Sequence, residues 1–287
     1  MRVNSALVLP EFLFAFLNRQ EIRELAASYM TGSSGHRRVP ESFYAELRVP
    51  VAPLGAQAEV VASVASVDTA VADAVEGVIA AQRAIAVAVD LVAASSAVRF
   101  TIEDLSADIQ YGLNEKMNES GVGYKIFRMN EIVQRRMVDG GQMKCADITA
   151  EEFAKYKLNR GDLLFNRTNS IEHVGKTGLF DLEGDYCFAS YLIRVVPDAS
   201  KVLPKFLVLM MNSAAFQAEA KGKASKSINQ ANINATIMRN MKVPVPTLAE
   251  QKRLVAKVEA LETKIADAQA VIHAAPARKQ AILQRYL

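Results

Sequence analysis

Val8-Leu9-Pro10-Glu11-Phe12-Leu13 returns as Val202-Leu203-Pro204-Lys205-Phe206-Leu207, 194 residues further along the chain. The same offset, without a gap, carries Arg48-Val49-Pro50-Val51 onto Lys242-Val243-Pro244-Val245, Leu54 onto Leu248 and Gln57 onto Gln251. Residues 8–61 set against 202–255 share 14 identities in 54 positions. An ungapped match of that length, prolines in place, is an internal repeat, and a repeat constrains the architecture before any single element is assigned.

The repeat runs on into a heptad. Val64, Val71, Val78, Ile85 and Val92 recur every seven residues, with Val60 and Val67 at the intervening position. Adding 194 gives Val258, Ile265 and Ile272, with Leu254 and Leu261 between them. Apolar residues alternately three and four apart make a helical seam. The first helix is rich in Ala and poor in charge, so it needs close neighbours. The second is its obvious partner in a long antiparallel coiled coil; two ordinary core helices of one globular domain are the alternative. Pro50, Pro53, Pro244 and Pro246 stand just ahead of the helices, where proline suits an extended connector entering a helix start. The expected fold is thus a mixed α/β (α+β) domain plus two long helices. Its boundaries are 1–53 for the remnant of a first globular domain, 54–98 for the first helix, 99–246 for a complete second domain and 247–287 for the second helix.

Bulk composition narrows the class without deciding it. Hydrophobic residues make up 51% of the chain, but the surplus is Ala and Val and Trp is absent, which suits close-packed helices. A net charge of +3 and a pI near 8.8 permit nucleic-acid binding without demanding it, so the placing of the cations matters. Cys145 and Cys187 cannot build a disulfide framework and have no CxxC spacing; buried thiols in a reducing cytoplasm are expected. Asp68, Asp73, Glu76, Arg83 and Asp90 interrupt the Ala/Val-rich stretch from Val60 to Val98, so no uncharged run approaches the roughly 20 residues of a membrane span. The apolar run between Glu11 and Arg19 is too short for a signal peptide. A cytoplasmic protein with no membrane partner is expected.

From Phe100 the texture turns to mixed α/β. Tyr124–Met129 and Asp162–Phe165 are expected as short strands, and Phe188–Val196 as one longer strand ended by Pro197-Asp198. A helix is expected after Pro204, through Phe206, Met210, Met211 and Phe216. Several stretches here carry a family likeness. Gly161-Asp162-Leu163-Leu164-Phe165-Asn166-Arg167-Thr168-Asn169-Ser170, followed by Val174-Gly175-Lys176-Thr177-Gly178, resembles the target-recognition domains of type I restriction–modification specificity (S) subunits. Gly112–Lys116, Phe127–Asn130, Ser190–Arg194 and Ser227–Ile233 are similar to the same family. So is Val243-Pro244-Val245-Pro246-Thr247-Leu248-Ala249-Glu250-Gln251, which resembles the family's entry into its long helix.

The resemblance implies two recognition domains held apart by two antiparallel helices, each domain reading one half of a bipartite double-stranded DNA site. It implies no cofactor bound by this chain. S-adenosylmethionine, with ATP and Mg for restriction, would belong to partner subunits: methyltransferase (M) subunits docked on the helices, and a restriction (R) subunit. Against that pattern the first recognition domain is expected to be truncated at its N-terminus by roughly a hundred residues, a typical small-domain length. A second copy of the chain then becomes a further candidate partner, and a fragment that donates recognition sequence by recombination is the alternative.

A DNA reader needs cations and amides at phosphates and forked donors at base edges. Asn166, Arg167, Thr168, Asn169 and Ser170 put such groups on an expected loop, with Arg167 the first candidate for a base edge and Lys176 for a phosphate. A self-bonded, capped turn is the alternative. Tyr111, Asn114 and Lys116 form a second such loop, or a merely solvated one. Arg128 is a candidate that could instead pair with Glu131, and Tyr191 is expected in the core. Lys221, Lys223, Lys226, Ser227, Asn229, Gln230 and Asn232 form the densest basic and amide patch, apt for salt-dependent phosphate binding or simply solvated. The first copy places His36, Arg37 and Arg38 in the aligned loop, so Arg37 and Arg38 join the candidates.

Catalytic chemistry finds no foothold in the sequence. There is no nucleophile elbow, P-loop or dinucleotide fingerprint. His36, His173 and His273 are scattered, and the Asn/Asp-Pro-Pro-aromatic tetrapeptide of an adenine methyltransferase is missing. Glu151-Glu152 suit a helix start. The expected function is sequence-specific DNA recognition directing methylation and restriction by partners. A non-DNA coiled-coil adaptor whose globular domain binds protein is the alternative.

Overall fold

In the computed structural model the described residues are 3–33, 35–227 and 230–285. They form two compact units, residues 1–82 with 262–287 and residues 83–261, and two long helices contribute to both.

In the first unit, α1 (Pro10–Leu17), α2 (Gln20–Ser28) and α3 (Glu41–Glu46) lead into the first long helix, α4 (Leu54–Ala93). The second long helix, here labelled α9 (Leu248–Gln284), brings its far end alongside. Phe12, Val60 and Leu283 form the core, with Val8, Leu9, Val64 and Ile282 packed around them. Lys279 pairs with Asp68. Numbers that rise along α4 therefore fall along α9, and the pair is antiparallel. Seam residues of the heptad are buried or half-buried, whereas Val75, Ile79, Val87 and Leu91, off the seam of α4, are exposed.

The second unit is built on a sheet ordered β2-β12-β8-β10-β6-β5. In chain order these are β2 (Ser106–Tyr111), β5 (Ile132–Val133), β6 (Arg136–Met137), β8 (Leu163–Asn166), β10 (Thr177–Leu179) and β12 (Leu192–Pro197). All four residues of β8 are buried, as a central strand covered on both faces requires. A second sheet, β11-β4-β7-β3, joins β3 (Met117–Asn118), β4 (Tyr124–Phe127), β7 (Cys145–Ala146) and β11 (Tyr186–Phe188). Phe127, Leu164, Phe180, Phe188 and Leu192 fill the core. Small pairings close the unit: β1 (Arg99–Thr101) with β15 (Lys242–Pro244), and β13 (Ser225–Lys226) with β14 (Ala231–Asn232) and β9 (Thr168–Asn169). Its helices are α5 (Ala150–Tyr156), α6 (Pro204–Met211), α7 (Ala214–Lys223) and α8 (Ala235–Asn240). Thr149 caps α5 by accepting from the Glu152 N–H, so Glu151 and Glu152 do sit in its first turn.

Two expectations need correction. The single strand expected over Phe188–Val196 is two strands, because the chain changes sheets at Ala189–Tyr191: the Ala189 N–H donates to Phe127 O and the Ser190 N–H to Leu113 O. The helix expected from Pro204 through Phe216 is two helices. Asn212 turns its amide back to Val208 O and Thr177 O, and Ser213 then caps α7 through the Phe216 N–H.

The repeat is visible bond by bond. Helices α1 and α6 span residues related by 194 at both ends, and so do α3 and α8. Gln57 is fully buried; its Oε1 accepts from the Leu9 N–H, and its Nε2 donates to Leu7 O and Ala52 O. Gln251 makes the same three bonds to Leu203 N–H, Lys201 O and Pro246 O. Asn4 Oδ1 accepts from the Ala6 N–H, just as Asp198 Oδ1 accepts from the Ser200 N–H. Among the described residues no helix is long and apolar enough to cross a membrane.

Candidate nucleic-acid interface

The interface begins where β8 leaves the large sheet. Asn166 is 1% exposed, with its amide donating to His173 O, while its N–H donates to Lys176 O and its carbonyl accepts from the Gly175 N–H. These bonds close the 166–176 loop, and Gly175 makes its last turn at a φ of +88°, a conformation that favours glycine. Asn166, expected at the interface, therefore faces inward. The loop instead exposes Ile171, Glu172 and His173 at its tip and leaves Lys176 half-buried beside it.

Past Asn166 the chain crosses to the small sheet. β9 pairs with β14, setting Thr168 opposite Asn232 and Asn169 opposite Ala231, and β14 pairs in turn with β13. Residues far apart in sequence, 168–169 with 225–226 and 231–232, thus form one edge. Asn232 Nδ2 donates to Thr168 Oγ1 at 3.1 Å. Asn169 accepts from the Ser170 N–H, the self-bonded turn that was its alternative reading.

Arg167 joins this edge to the rest of the unit. Its guanidinium lies over the Tyr111 ring, 4.9 Å from the centroid. Nη1 donates to Ser190 O at 3.3 Å and Nη2 to Asn232 Oδ1 at 3.2 Å. The Tyr111 hydroxyl accepts from the Ala235 N–H at 2.7 Å, and the Ser190 hydroxyl donates to Asn114 Oδ1 at 3.4 Å. Gly112 allows this closeness: a Cβ there would sit 2.2 Å from Ala189 O. Tyr111, Asn114, Arg167, Thr168, Asn169, Ser170, Lys226, Ser227 and Asn232 therefore belong to one connected surface.

Other candidates stand apart from that surface. Arg128 pairs with Glu131, Nη2 to Oε1 at 2.5 Å, on the second sheet, so its ion-pair alternative holds. Lys223 is bound to Glu219 at 2.6 Å. Lys116 is exposed and Lys221 half-buried, and neither these two nor Lys176 and Lys226 form an ion pair among the described residues. Ser227 donates to Gln230 O from its N–H and its hydroxyl, closing the loop between β13 and β14; Asn229 lies outside the described residues. In the first unit, Arg37 and Arg38 are exposed, and Arg38 forms an antiparallel bridge with Thr31 that repeats the Ser225–Asn232 pairing. Tyr191, expected in the core, is 39% exposed beside Ser190 and adds an aromatic to the surface. The sheet change at Ala189–Tyr191, unmarked in the sequence, is what turns it outward.

The surface offers amides, hydroxyls and cations. Among the described residues no group of three or more His, Cys, Asp and Glu could hold a metal. Burial pushes the Cys187 thiol up to about 12, which removes it as a nucleophile at neutral pH. Burial likewise raises the Asp162 carboxyl at the start of β8, which accepts from the Asn159 N–H and faces Arg194 at 4.0 Å. Both are parts of the core.

Residues 102–272, more than half of the chain, match the model of the type I restriction modification DNA specificity domain. The chain is 30% identical over 154 residues to a Methanocaldococcus jannaschii protein provisionally named the type I restriction enzyme MjaX specificity subunit. That stretch is 53% of this chain and 36% of the relative. It is 29% identical over 168 residues to the Escherichia coli EcoKI specificity subunit, covering 57% of this chain and 35% of that one. The matched stretch thus spans about a third of these relatives. The HsdS subunit of Thermoanaerobacter tengcongensis shares the fold over 100% of this chain and 72% of its own, at a TM-score of 0.57 and 18% identity.

Proposed function

The chain belongs to the type I restriction–modification DNA specificity family, and on that premise we propose that it reads DNA sequence for partner subunits that methylate adenine and cut. The observation that supports this most is the joining of Thr168–Asn169, Ser225–Lys226 and Ala231–Asn232 into one edge, with Lys176 near it. Amides and hydroxyls suit base edges, and lysines outside ion pairs suit phosphates. Catalysis, with S-adenosylmethionine, ATP and Mg, is assigned to the partners. The 99–246 portion acts as the recognition domain, and the two long helices dock methyltransferase subunits. Val75, Ile79, Val87 and Leu91, exposed on α4, supply apolar surface for that contact. Restriction subunits and a second copy of this chain complete the partner set, with the copy bringing a second recognition domain.

The test is retention of duplex DNA by the purified chain across a salt series. Four lysines outside ion pairs, each displacing a counterion, would weaken binding by roughly a hundred-fold between about 50 and 200 mM salt. Selection from a randomised duplex library should then return a sequence motif. No retention at low salt would overturn the reading and favour the protein-binding adaptor.

A further inference from the structure

Arg167 is the residue whose composition most suggests a base reader, yet its surroundings point elsewhere. The side chain is half-buried, both terminal nitrogens already have protein acceptors, and Nε is buried with no partner. A reader in the major groove needs its fork free to take both acceptors of a guanine. Here the fork instead bridges Ser190 O and Asn232 Oδ1, and its flat face is covered by Tyr111.

We propose that Arg167 is a positioning residue that sets the shape of the reading edge and does not itself read a base. Three segments converge on it. Its N–H donates to Tyr191 O and its carbonyl accepts from the Ile233 N–H, so its backbone ties the sheet change at Ala189–Tyr191 to the exit of β14. Its side chain adds the end of β2 through Tyr111, and β14 again through Asn232. Asn232 passes the constraint on to Thr168 across the sheet, and Tyr111 passes it to the start of α8 through Ala235. β9, β13 and β14 are only two residues each, too short to hold register by pairing alone. A forked, planar cation is suited to the task where an ammonium is not, because one guanidinium can satisfy two acceptors at fixed angles while stacking on a ring. Base contact then falls to groups the edge presents outward: Asn114, Tyr191, Ser170, Ser227 and Gln230.

This inference rests on the DNA reading for its biology but not for its test. The variant is Arg167→Lys in the full chain, which keeps the charge and loses the fork. Amide hydrogen exchange without DNA should speed up by about ten-fold or more at 168–170 and 231–235, while the melting temperature and exchange in β8 and β12 stay unchanged. Unchanged exchange at that edge would overturn the proposal, whatever the chain does with DNA. Against duplexes from a randomised library, Arg167→Lys should lower discrimination at every position of the recognised site together. Asn232→Ala should give the same profile, and the double variant should be little worse than either single one, as coupled groups behave. A change confined to one base pair, or additive losses, would make Arg167 a reader and sink the proposal. A wild-type chain with no sequence preference would sink the DNA reading instead, and the exchange data would still decide what Arg167 does.

Discussion

The two copies of the repeat follow the same path with different surroundings. Val208 of α6 is 4% exposed, in a helix packed against β10, whereas its counterpart in α1, Phe14, is 71% exposed. β15 has β1 as a strand partner, while the corresponding residues 48–50 have no strand pairing among the described residues. The bridge between Thr31 and Arg38 stands by itself, and its counterpart is extended by β9 into three strands. What the copies share, down to single hydrogen bonds, is the turn, the helix limits and the glutamine at the elbow. The lesson is that the helices, the turn and the elbow keep one geometry whether or not strands cover them.

The largest contrast is expected at the covered and uncovered faces. Val208→Asp puts a charge into a sealed core and should cost about 4 kcal/mol or more, enough to unfold the second unit in a thermal melt. Phe14→Asp should change the stability of the chain alone by no more than about 0.5 kcal/mol. Equal losses would erase the difference between the faces.

Next come the glutamines. Gln57→Ala and Gln251→Ala each strand one buried N–H and two carbonyls, and each should lose about 2–3 kcal/mol in denaturant titration. The copies are predicted to match here to within about 1 kcal/mol, and an imbalance larger than that would break the equivalence of the elbows.

Helix capping should differ by less. α7 and α8 are capped by the Ser213 and Asn234 side chains, where α2 and α3 have Arg19 and Pro40 with no side-chain cap bond. Ser213→Ala should cost about 1 kcal/mol and Arg19→Ala distinctly less.

The smallest effect is electrostatic. Ser200 and Lys201 hold the Asp198 carboxyl down at about 2 against an ordinary 3.8, whereas Asn4 occupies the same turn without a charge. A depressed acid stabilises the fold above its unfolded value and loses that contribution as pH falls through the folded one. Between about pH 4 and 2 the second unit should therefore lose a small increment that Asp198→Asn abolishes, and a pH series of melts on the two proteins measures it.

How much of this was legible in the sequence depended on the range of the signal. The repeat, the elbows and the long helices were, because an ungapped offset and a sustained heptad are properties of many residues at once. The strands Tyr124–Phe127 and Leu163–Asn166 were close to expectation because their apolar runs are continuous. The 166–170 and 221–232 stretches stood out by composition, but not the fact that two-residue strands join them. The inward turn of Asn166 was hidden because its partner, the His173 carbonyl, is a backbone atom that any residue could supply. Arg167 looked like a reader because nothing near it in sequence announces Tyr111, Ser190 or Asn232. Tyr191 was misjudged for a related reason: alternation places a side chain only while a strand continues, and this strand stops at Phe188 and resumes at Leu192.

The elbow glutamines have one more consequence. Gln57 and Gln251 grip only main-chain atoms, so the junction they make is indifferent to the side chains it holds. A genetic crossover anywhere between the Val-Leu-Pro turn and the glutamine would leave the glutamine its three main-chain partners. Such a socket lets heads be exchanged without redesigning the stem.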